Sequence, residues 1–307
     1  MAFLLLCVVW LSWGLSYPLA AIALRGFDVL TLRCAVQLLG ALVLLLEAGL
    51  SGRSLAIEHA GWRDLAISGL LNMAAFPIGM TLGVYLMSPG RTSVLAYTMP
   101  IWATLFGRLM LGEALTAHRL IALALGLGAV IVMVSQDLSG LRDAPLGAAL
   151  TLLAAFSFGL GTVYLKRGGW SADGSVVTFW QLLIGLVPMG LLWALSPPWS
   201  EPGPPGPAQW AALVFIGVMA NAAANFAWFR VVRLFPAGIS GIGALAVPCV
   251  GVASSAWLAQ ERLTMQDGVA MAMIAAALLC VFAEQFGRGA QTEPITAPSR
   301  SSRRGTG

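Results

Sequence analysis

The chain is 307 residues long, and 59% of its residues are apolar whereas only 10% are charged. Soluble domains carry about 25% charged residues, so this composition excludes an ordinary soluble domain and indicates a protein embedded in lipid. The 17 basic and 13 acidic residues leave a net charge of +4, and the position of the basic residues carries information on topology.

Ten segments are apolar and long enough to be considered as bilayer crossings, each of which needs roughly 20 mostly apolar residues. The sequence therefore predicts an all-α integral membrane protein with ten transmembrane helices. In chain order the predicted spans are Ala2 to Leu24, Val29 to Leu46, Leu65 to Leu86, Ser93 to Met110, Leu120 to Ser135, Ala144 to Leu165, Val176 to Leu195, Ala208 to Phe229, Ala237 to Leu258 and Gly268 to Phe286.

The second half of the chain repeats the first at an offset of 148 residues. Glu113 in Leu-Gly-Glu-Ala-Leu-Thr is matched by Glu261 in Leu-Ala-Gln-Glu-Arg-Leu-Thr, and Pro100 is matched by Pro248. Because each half holds five predicted helices, an odd number, the halves enter the membrane from opposite sides. We therefore predict two inverted five-helix repeats, residues 1–138 and 139–287, followed by a disordered basic cytoplasmic tail over residues 288–307. Inverted repeats are typical of transporters that work by alternating access.

The basic residues follow the positive-inside rule when the N-terminus is placed in the cytoplasm. Twelve of the seventeen then lie in cytoplasmic loops or in the tail, and four lie in external loops. The remaining one, Arg33, lies inside the second predicted span, where we expect it to reach the external surface or to pair with Asp28. The sequence thus predicts a multi-pass protein of the bacterial inner (plasma) membrane with both termini in the cytoplasm.

Two prolines and two glutamates are predicted to have structural roles. Pro100 and Pro248 lack an amide hydrogen, so we expect each to kink its helix near mid-span and to act as a bending point, or simply to be a packing kink. Glu113 and Glu261 lie near helix ends, where a carboxylate can cap the exposed N–H groups of the helix that follows. A role in binding a coupling ion is the alternative.

Polar side chains in the middle of a span are costly without partners and indicate a cavity or contacts between helices. Asn72, Phe76 and Met80 recur at intervals of four residues and share one helix face. Asn221 and Asn225 have the same spacing in the eighth span, and Trp228 follows at i+3. We expect these two stripes to face a common substrate-binding cavity, with hydrogen bonding between helices as the alternative.

Aromatic residues are the second group of predicted substrate contacts. Trp13 and Tyr17 lie one turn apart in the first span, Phe158 occupies the place of Trp13 in the sixth, and Tyr97 precedes Pro100. Rings and apolar walls favour a flat, amphipathic substrate. Tryptophan is also enriched where spans meet the membrane surface, so some of the eleven are expected there instead.

Several motifs together resemble the EamA-type members of the drug/metabolite transporter superfamily. They are the stretch Trp-Gly-Leu-Ser-Tyr-Pro at residues 13–18, the two five-helix halves, and the Pro100 to Glu113 spacing repeated as Pro248 to Glu261. The resemblance implies a ten-helix exporter of metabolites, often amino acids, and is nearest to bacterial exporters of aromatic amino acids. It also implies that the first, third, fourth, sixth, eighth and ninth spans line the cavity and that the fifth and tenth lie outside.

The first span holds no acidic residue. Small multidrug exporters of related architecture use such an acid to exchange protons for cations, so its absence argues against cationic drugs as main substrates. We therefore predict a transporter that exports small neutral or zwitterionic metabolites, most simply aromatic or other apolar amino acids. A membrane sensor or assembly protein, an exporter of drug-like compounds and a channel are the alternatives.

The sequence predicts no enzymatic activity, because it lacks paired carboxylates, a His/Cys metal spacing and a nucleophile beside a base. The four cysteines fall in predicted helices without a metal or disulfide spacing. We accordingly expect no cofactor and no metal. The expected partners are a small-molecule substrate and membrane lipid, with no nucleic acid, and the protein is expected to be a monomer or homodimer.

Overall fold

The structure is a computed structural model that describes residues 2–87, 89–96, 98–135, 144–198, 202–258 and 265–290. Every regular element within these ranges is a helix. The helices are α1 (Ala2–Ala23), α2 (Val29–Leu50), α3 (His59–Leu86), α4 (Pro89–Ala96), α5 (Met99–Leu111), α6 (Ala117–Ser135), α7 (Pro145–Arg167), α8 (Gly174–Leu195), α9 (Pro207–Leu234), α10 (Ala237–Gly243), α11 (Ala246–Leu258) and α12 (Met265–Ala290).

Seven stretches of helix are long and apolar enough to cross a membrane. They are α1, α2, α3, α7, α8, α9 and the stretch Ile239–Leu258. Shorter apolar helices cover Met99–Leu111, Ala117–Val132 and Gly268–Cys280. The last helix continues to Ala290, beyond the end predicted for the second repeat, and the tail predicted over residues 288–307 otherwise lies outside the described residues.

The fourth and ninth predicted spans are interrupted, which corrects the predicted kinks. α4 ends at Ala96 and α5 starts at Met99, so Pro100 occupies the first turn of a new helix. In the second half, α10 ends at Gly243 and Pro248 lies in the first turn of α11. A proline is tolerated there because the first turn of a helix has no intrahelical acceptor for its amide.

α3 and α9 run in opposite directions through the bundle. We call the end at which α1 ends and α2 begins the Arg33 end, and the opposite end, at which α7 ends and α8 begins, the Lys166 end. α3 finishes at the Arg33 end, whereas α9 starts there, since a Cβ atom on Gly26 would lie 2.8 Å from Cα of Pro205. α3 and α9 also have the same length and each contains a π-helical segment.

Glycines set the spacing between the helices of the two halves. A Cβ atom on Gly40 of α2 would lie 2.8 Å from Cβ of Asn221 in α9. In α8, Gly185 packs on the backbone carbonyl of Met73 in α3, with no room for a methyl group. At both crossings the absence of a side chain lets a helix lie directly on the π-helical segment of its neighbour.

Glu113 links the two halves through a contact that the sequence did not predict. Its Oε1 accepts a hydrogen bond of 2.7 Å from the backbone N–H of Ala237, at the start of α10. The cap that the sequence predicts Glu113 to provide for α6 remains a prediction; near the start of that helix, the N–H of Arg119 donates to Oγ1 of Thr116. The sequence could not show the contact with Ala237, because the capped N–H group lies 124 residues away. Glu261 lies outside the described residues.

We predict that alanine destabilises the protein at one glycine of α8 and not at another. Gly185→Ala places a methyl group against the carbonyl of Met73 and should lower the free energy of unfolding by about 1–3 kcal/mol, the usual cost of overpacking. Gly190→Ala, the matched control, meets no atom within 4 Å and should be neutral or gain up to about 1 kcal/mol of helix propensity. Thermal unfolding in detergent measures both, and equal Tm values for the two variants would contradict this packing.

We predict that Glu113→Ala destabilises the contact between the halves. The N–H of Ala237 loses its acceptor, which should cost about 1–3 kcal/mol. Glu113→Gln keeps an oxygen acceptor and should cost less. A Tm ordered as wild type, then glutamine, then alanine supports the assignment, whereas equal losses for both variants would mean that the negative charge matters more than the hydrogen bond.

Candidate functional site

A cavity opens between the helices, from the middle of the bundle toward the Arg33 end. It contains about 740 Å³ of space between protein atoms, with the open solvent at its mouth included. α1, α2, α3, α5, α7 and α9 contribute to its wall. The second predicted span therefore joins the wall, while the ninth contributes no described residue to it.

The structure brings most of the predicted site residues together in this one cavity. The predicted substrate contacts that line it are Trp13, Tyr17, Asn72, Phe76, Met80, Phe158, Asn221 and Asn225. Trp228 lies behind the wall, with its ring packed on Trp13 and Phe158. Tyr97 lies outside the described residues. The regular spacing along α3 and α9 thus predicted which side chains share one space.

Each amide stripe begins in a π-helical segment, Leu71–Ala75 in α3 and Ile216–Ala223 in α9. A π segment shifts the backbone hydrogen bonds and leaves carbonyl groups accessible, and such segments are frequent at functional sites. Side chains from other helices donate to two of these carbonyls. Ser157 bonds the carbonyl of Leu71 at 2.9 Å, and the indole of Trp13 bonds that of Ala220 at 3.2 Å.

Aromatic rings form the floor of the cavity at mid-bundle. The rings of Trp13 and Phe158 meet edge to face with centroids 5.7 Å apart, and Phe76 packs on Phe158 at 4.6 Å. Trp228 supports both Trp13 and Phe158 from below. The aromatic residues predicted at matched positions of the two halves therefore touch each other directly, and they offer a flat apolar surface to a ligand.

Amide groups above this floor lack partners within the described residues. Asn72 is 2% exposed, and neither its side-chain oxygen nor its nitrogen has a hydrogen bond. The side-chain nitrogen of Asn221 is likewise buried and unpaired. Asn225 differs, because its Nδ2 donates to the carbonyls of Ala220 and Asn221. Unpaired buried polar groups are costly, so they point to a ligand or water as partner.

Arg33 is a cavity residue that sequence analysis did not recognise. It was expected to reach the surface or to pair with Asp28, yet it lies on the cavity wall and its Nε is buried without a hydrogen bond. Asp28 accepts hydrogen bonds from the N–H groups of Leu30 and Thr31 and caps α2. The available signal was an ionisable residue inside a span, which by itself marks a functional site.

The Lys166 end of the bundle is held together by charged contacts between the two halves. Arg53 pairs with Glu47 and, at 3.4 Å, with Asp173. Arg230 also pairs with Asp173 at 3.4 Å, while Arg167 pairs with Asp64 across the halves. These contacts lie at the end opposite the cavity mouth and therefore close that end.

The geometry at Asp173 keeps its carboxylate charged. Burial alone would raise the pKa of Asp173, but hydrogen bonds from Ser175 and the nearby charges of Arg53 and Arg230 together lower it below its ordinary value. A lowered pKa stabilises the folded contact above the ordinary pKa of aspartate, and this stabilisation is lost only as the pH falls through the lower value. The ion pairs of Asp173 with Arg53 and Arg230 consequently persist over the physiological pH range.

No group of three or more metal-ligating side chains occurs among the described residues. The four cysteines are free and half-buried. What the cavity offers a ligand is therefore an apolar floor, amide groups and one guanidinium group.

The chain is similar to known transporters and to a known fold. It is 28% identical to the uncharacterized transporter YvbV of Bacillus subtilis (strain 168) over 85% of both chains. It is also 27% identical to a probable amino-acid metabolite efflux pump of Escherichia coli (strain K12), over 58% of this chain and 62% of that protein. A crystal structure of a protein with 18% identity superposes with a TM-score of 0.77, covering 95% of this chain and 99% of the other.

The match to a protein family covers almost the whole chain. The model of the EamA-like transporter family matches residues 1–135 and again residues 145–283. This double match agrees with the paired Pro and Glu motifs, and it confirms the family predicted from them. The chain is a multi-pass membrane protein that belongs to the EamA-like transporter family.

Proposed function

We propose that the protein exports small neutral or zwitterionic metabolites, most simply aromatic or other apolar amino acids, across the bacterial inner membrane. In this proposal the chain crosses the membrane ten times as two inverted five-helix repeats, residues 1–138 and 139–287. α4 with α5, and α10 with α11, each make one crossing. Both termini are cytoplasmic, so the Lys166 end faces the cytoplasm and the Arg33 end faces outward.

The observation that carries the proposal is a central cavity open toward one end of the bundle and closed at the other. Cross-half ion pairs form the closure, and an aromatic floor separates it from the cavity. An alternating-access transporter must populate such a state and its opposite. We assign the structure to the outward-open state, and Pro100 and Pro248, beside the helix breaks, to the hinges.

Amino acids are favoured as substrates by the chemistry of the wall. The aromatic floor fits a flat apolar side chain, and the unpaired amides of Asn72 and Asn221 fit polar groups beside it. The similarity to a probable amino-acid metabolite efflux pump supports the same class. An exporter of drug-like compounds is the second candidate, favoured by the apolar part of the wall. A sensor or assembly protein has less need of a cavity closed at one end.

We predict that Asn72→Ala combined with Asn221→Ala impairs transport without loss of stability. The unpaired amide groups make no internal hydrogen bond, so their removal should leave Tm unchanged or raise it. Counterflow of labelled phenylalanine in proteoliposomes should fall roughly tenfold or more, as expected for the loss of two substrate hydrogen bonds.

Gln37→Ala is the matched control. Nε2 of Gln37 in α2 donates a hydrogen bond of 2.8 Å to the carbonyl of Leu182 in α8, and Gln37 does not line the cavity. This variant should lower Tm yet retain counterflow per folded protein. Wild-type protein that folds but moves no amino acid would favour the sensor or assembly protein, and movement of a cationic dye alone would favour the drug exporter.

We predict that Asp173→Asn weakens the closure at the Lys166 end. Partly exposed ion pairs contribute up to about 1 kcal/mol each, so removing the shared partner of Arg53 and Arg230 should shift the population about two- to tenfold toward the opposite state. The readout is labelling of Ser16→Cys, on the cavity wall, by a membrane-impermeant thiol reagent added from outside to protein without its native cysteines.

The external labelling rate should fall in Asp173→Asn. Glu58→Gln is the control, since Glu58 is an exposed acid near the same end without an ion pair among the described residues. Unchanged labelling in Asp173→Asn, or an equal change in Glu58→Gln, would contradict the gating role.

A further inference from the structure

The charge balance of the cavity points to one chemical class of ligand. Arg33 is the one charged side chain among the described residues that line the cavity, and no acidic side chain lies on that wall. The described ion pairs of the protein involve other arginines, at the Lys166 end. The cavity therefore carries an uncompensated positive charge in an apolar surrounding.

The guanidinium group of Arg33 is partly buried, and its Nε needs an acceptor. Nε of Arg33 is shielded from solvent and has no hydrogen bond within the described residues. A guanidinium group presents its N–H donors in a planar fork that matches the two oxygens of a carboxylate, and such charge-assisted pairs are among the strongest hydrogen bonds in proteins. A cation inside a membrane-spanning helix is kept at a cost, which a bound anion would offset.

We propose that Arg33 anchors the carboxylate of the transported substrate, so that the site takes monocarboxylates with an apolar or aromatic body and does not require an amino group. This inference rests on the proposed function, in which the cavity is the transport site. The body lies on the floor formed by Trp13, Phe76 and Phe158, and the carboxylate points toward the Arg33 end.

The substrate needs no amino group, because the described residues of the cavity wall include no acidic side chain that would balance the positive charge of an ammonium group. An α-ammonium group meets only neutral acceptors there, such as the side-chain oxygen of Asn72. A neutral acceptor of this kind can accept a hydrogen bond from an ammonium group, from a hydroxyl group or from the N–H of an acylated amine. A carboxylate without an amino group consequently loses little, whereas an amine without a carboxylate meets an unbalanced positive charge and is repelled.

The test compares four ligands that share one phenyl body. They are phenylalanine, 3-phenylpropionate, its neutral alcohol 3-phenylpropanol, and the cation 2-phenylethylamine. Binding to purified full-length protein is followed by tryptophan fluorescence, since Trp13 lies on the cavity wall, and transport is followed separately by counterflow in proteoliposomes. We expect both carboxylates to bind, the alcohol to bind more weakly and the amine to bind weakest.

Variants of Arg33 decide whether the guanidinium group is responsible. Arg33→Gln should weaken binding of both carboxylates roughly tenfold to a hundredfold while leaving the alcohol unchanged, and Arg33→Lys should recover part of the loss. Arg25→Gln is the matched control, because Arg25 is an exposed residue just after α1, at the same end, and lies off the cavity wall. It should leave all four ligands unchanged.

Failure of this inference can be told apart from failure of the proposed function. Equal losses for the carboxylates and the alcohol in Arg33→Gln, or tightest binding of the amine, would overturn the carboxylate anchor while leaving a transporter. Carboxylate binding that depends on Arg33 without any counterflow would keep the anchor and overturn transport of these compounds. An equal effect of Arg25→Gln would contradict the anchor, because any positive charge at this end would then attract the carboxylates as well as Arg33 does.

Discussion

Hydrogen bonding of the backbone inside an apolar bundle is the constraint on which the site depends. Lipid offers no donors or acceptors, so a helix that departs from α geometry must find partners within the protein. The π-helical segments of α3 and α9 satisfy this through Ser157 and Trp13, whose side chains donate to the carbonyls of Leu71 and Ala220. The same distortion places Asn72 and Asn221 on the cavity wall. The contacts that pack α1 and α7 against the π-helical segments therefore also stabilise the backbone that carries Asn72 and Asn221.

The helix breaks also require hydrogen-bond partners from within the protein for the exposed backbone groups. Pro100 lies where a helix begins, and Gly241 of α10 approaches it so closely that a Cβ atom would lie 3.2 Å from Cα of Pro100. Glu113 then supplies the acceptor for the first N–H of α10. A carboxylate of the first half thus completes the hydrogen bonding of a broken helix in the second.

The sequence predicted the periodic part of this arrangement and missed the part that depends on distant contacts. Spacing of four residues placed Asn72, Phe76 and Met80 on one face because helix geometry alone fixes it. The partner of Glu113 could not be predicted, since a carboxylate at a helix end has several N–H groups in reach. The sequence predicts that Arg33 reaches the surface or pairs with Asp28, because long basic side chains usually reach the surface. Only the packed structure shows that its Nε is enclosed.

A single uncompensated guanidinium group has an energetic consequence for the direction of transport. A monocarboxylate carried with Arg33 as its anchor leaves the cell as an anion, and no coupled cation is needed to neutralise it in the cavity. Under the proposed orientation the membrane potential, negative inside, favours this movement by about 2.3 kcal/mol per charge for each 100 mV. The resting voltage of the cell would then drive export of such acids by itself, whereas zwitterionic amino acids would follow their concentration gradient alone.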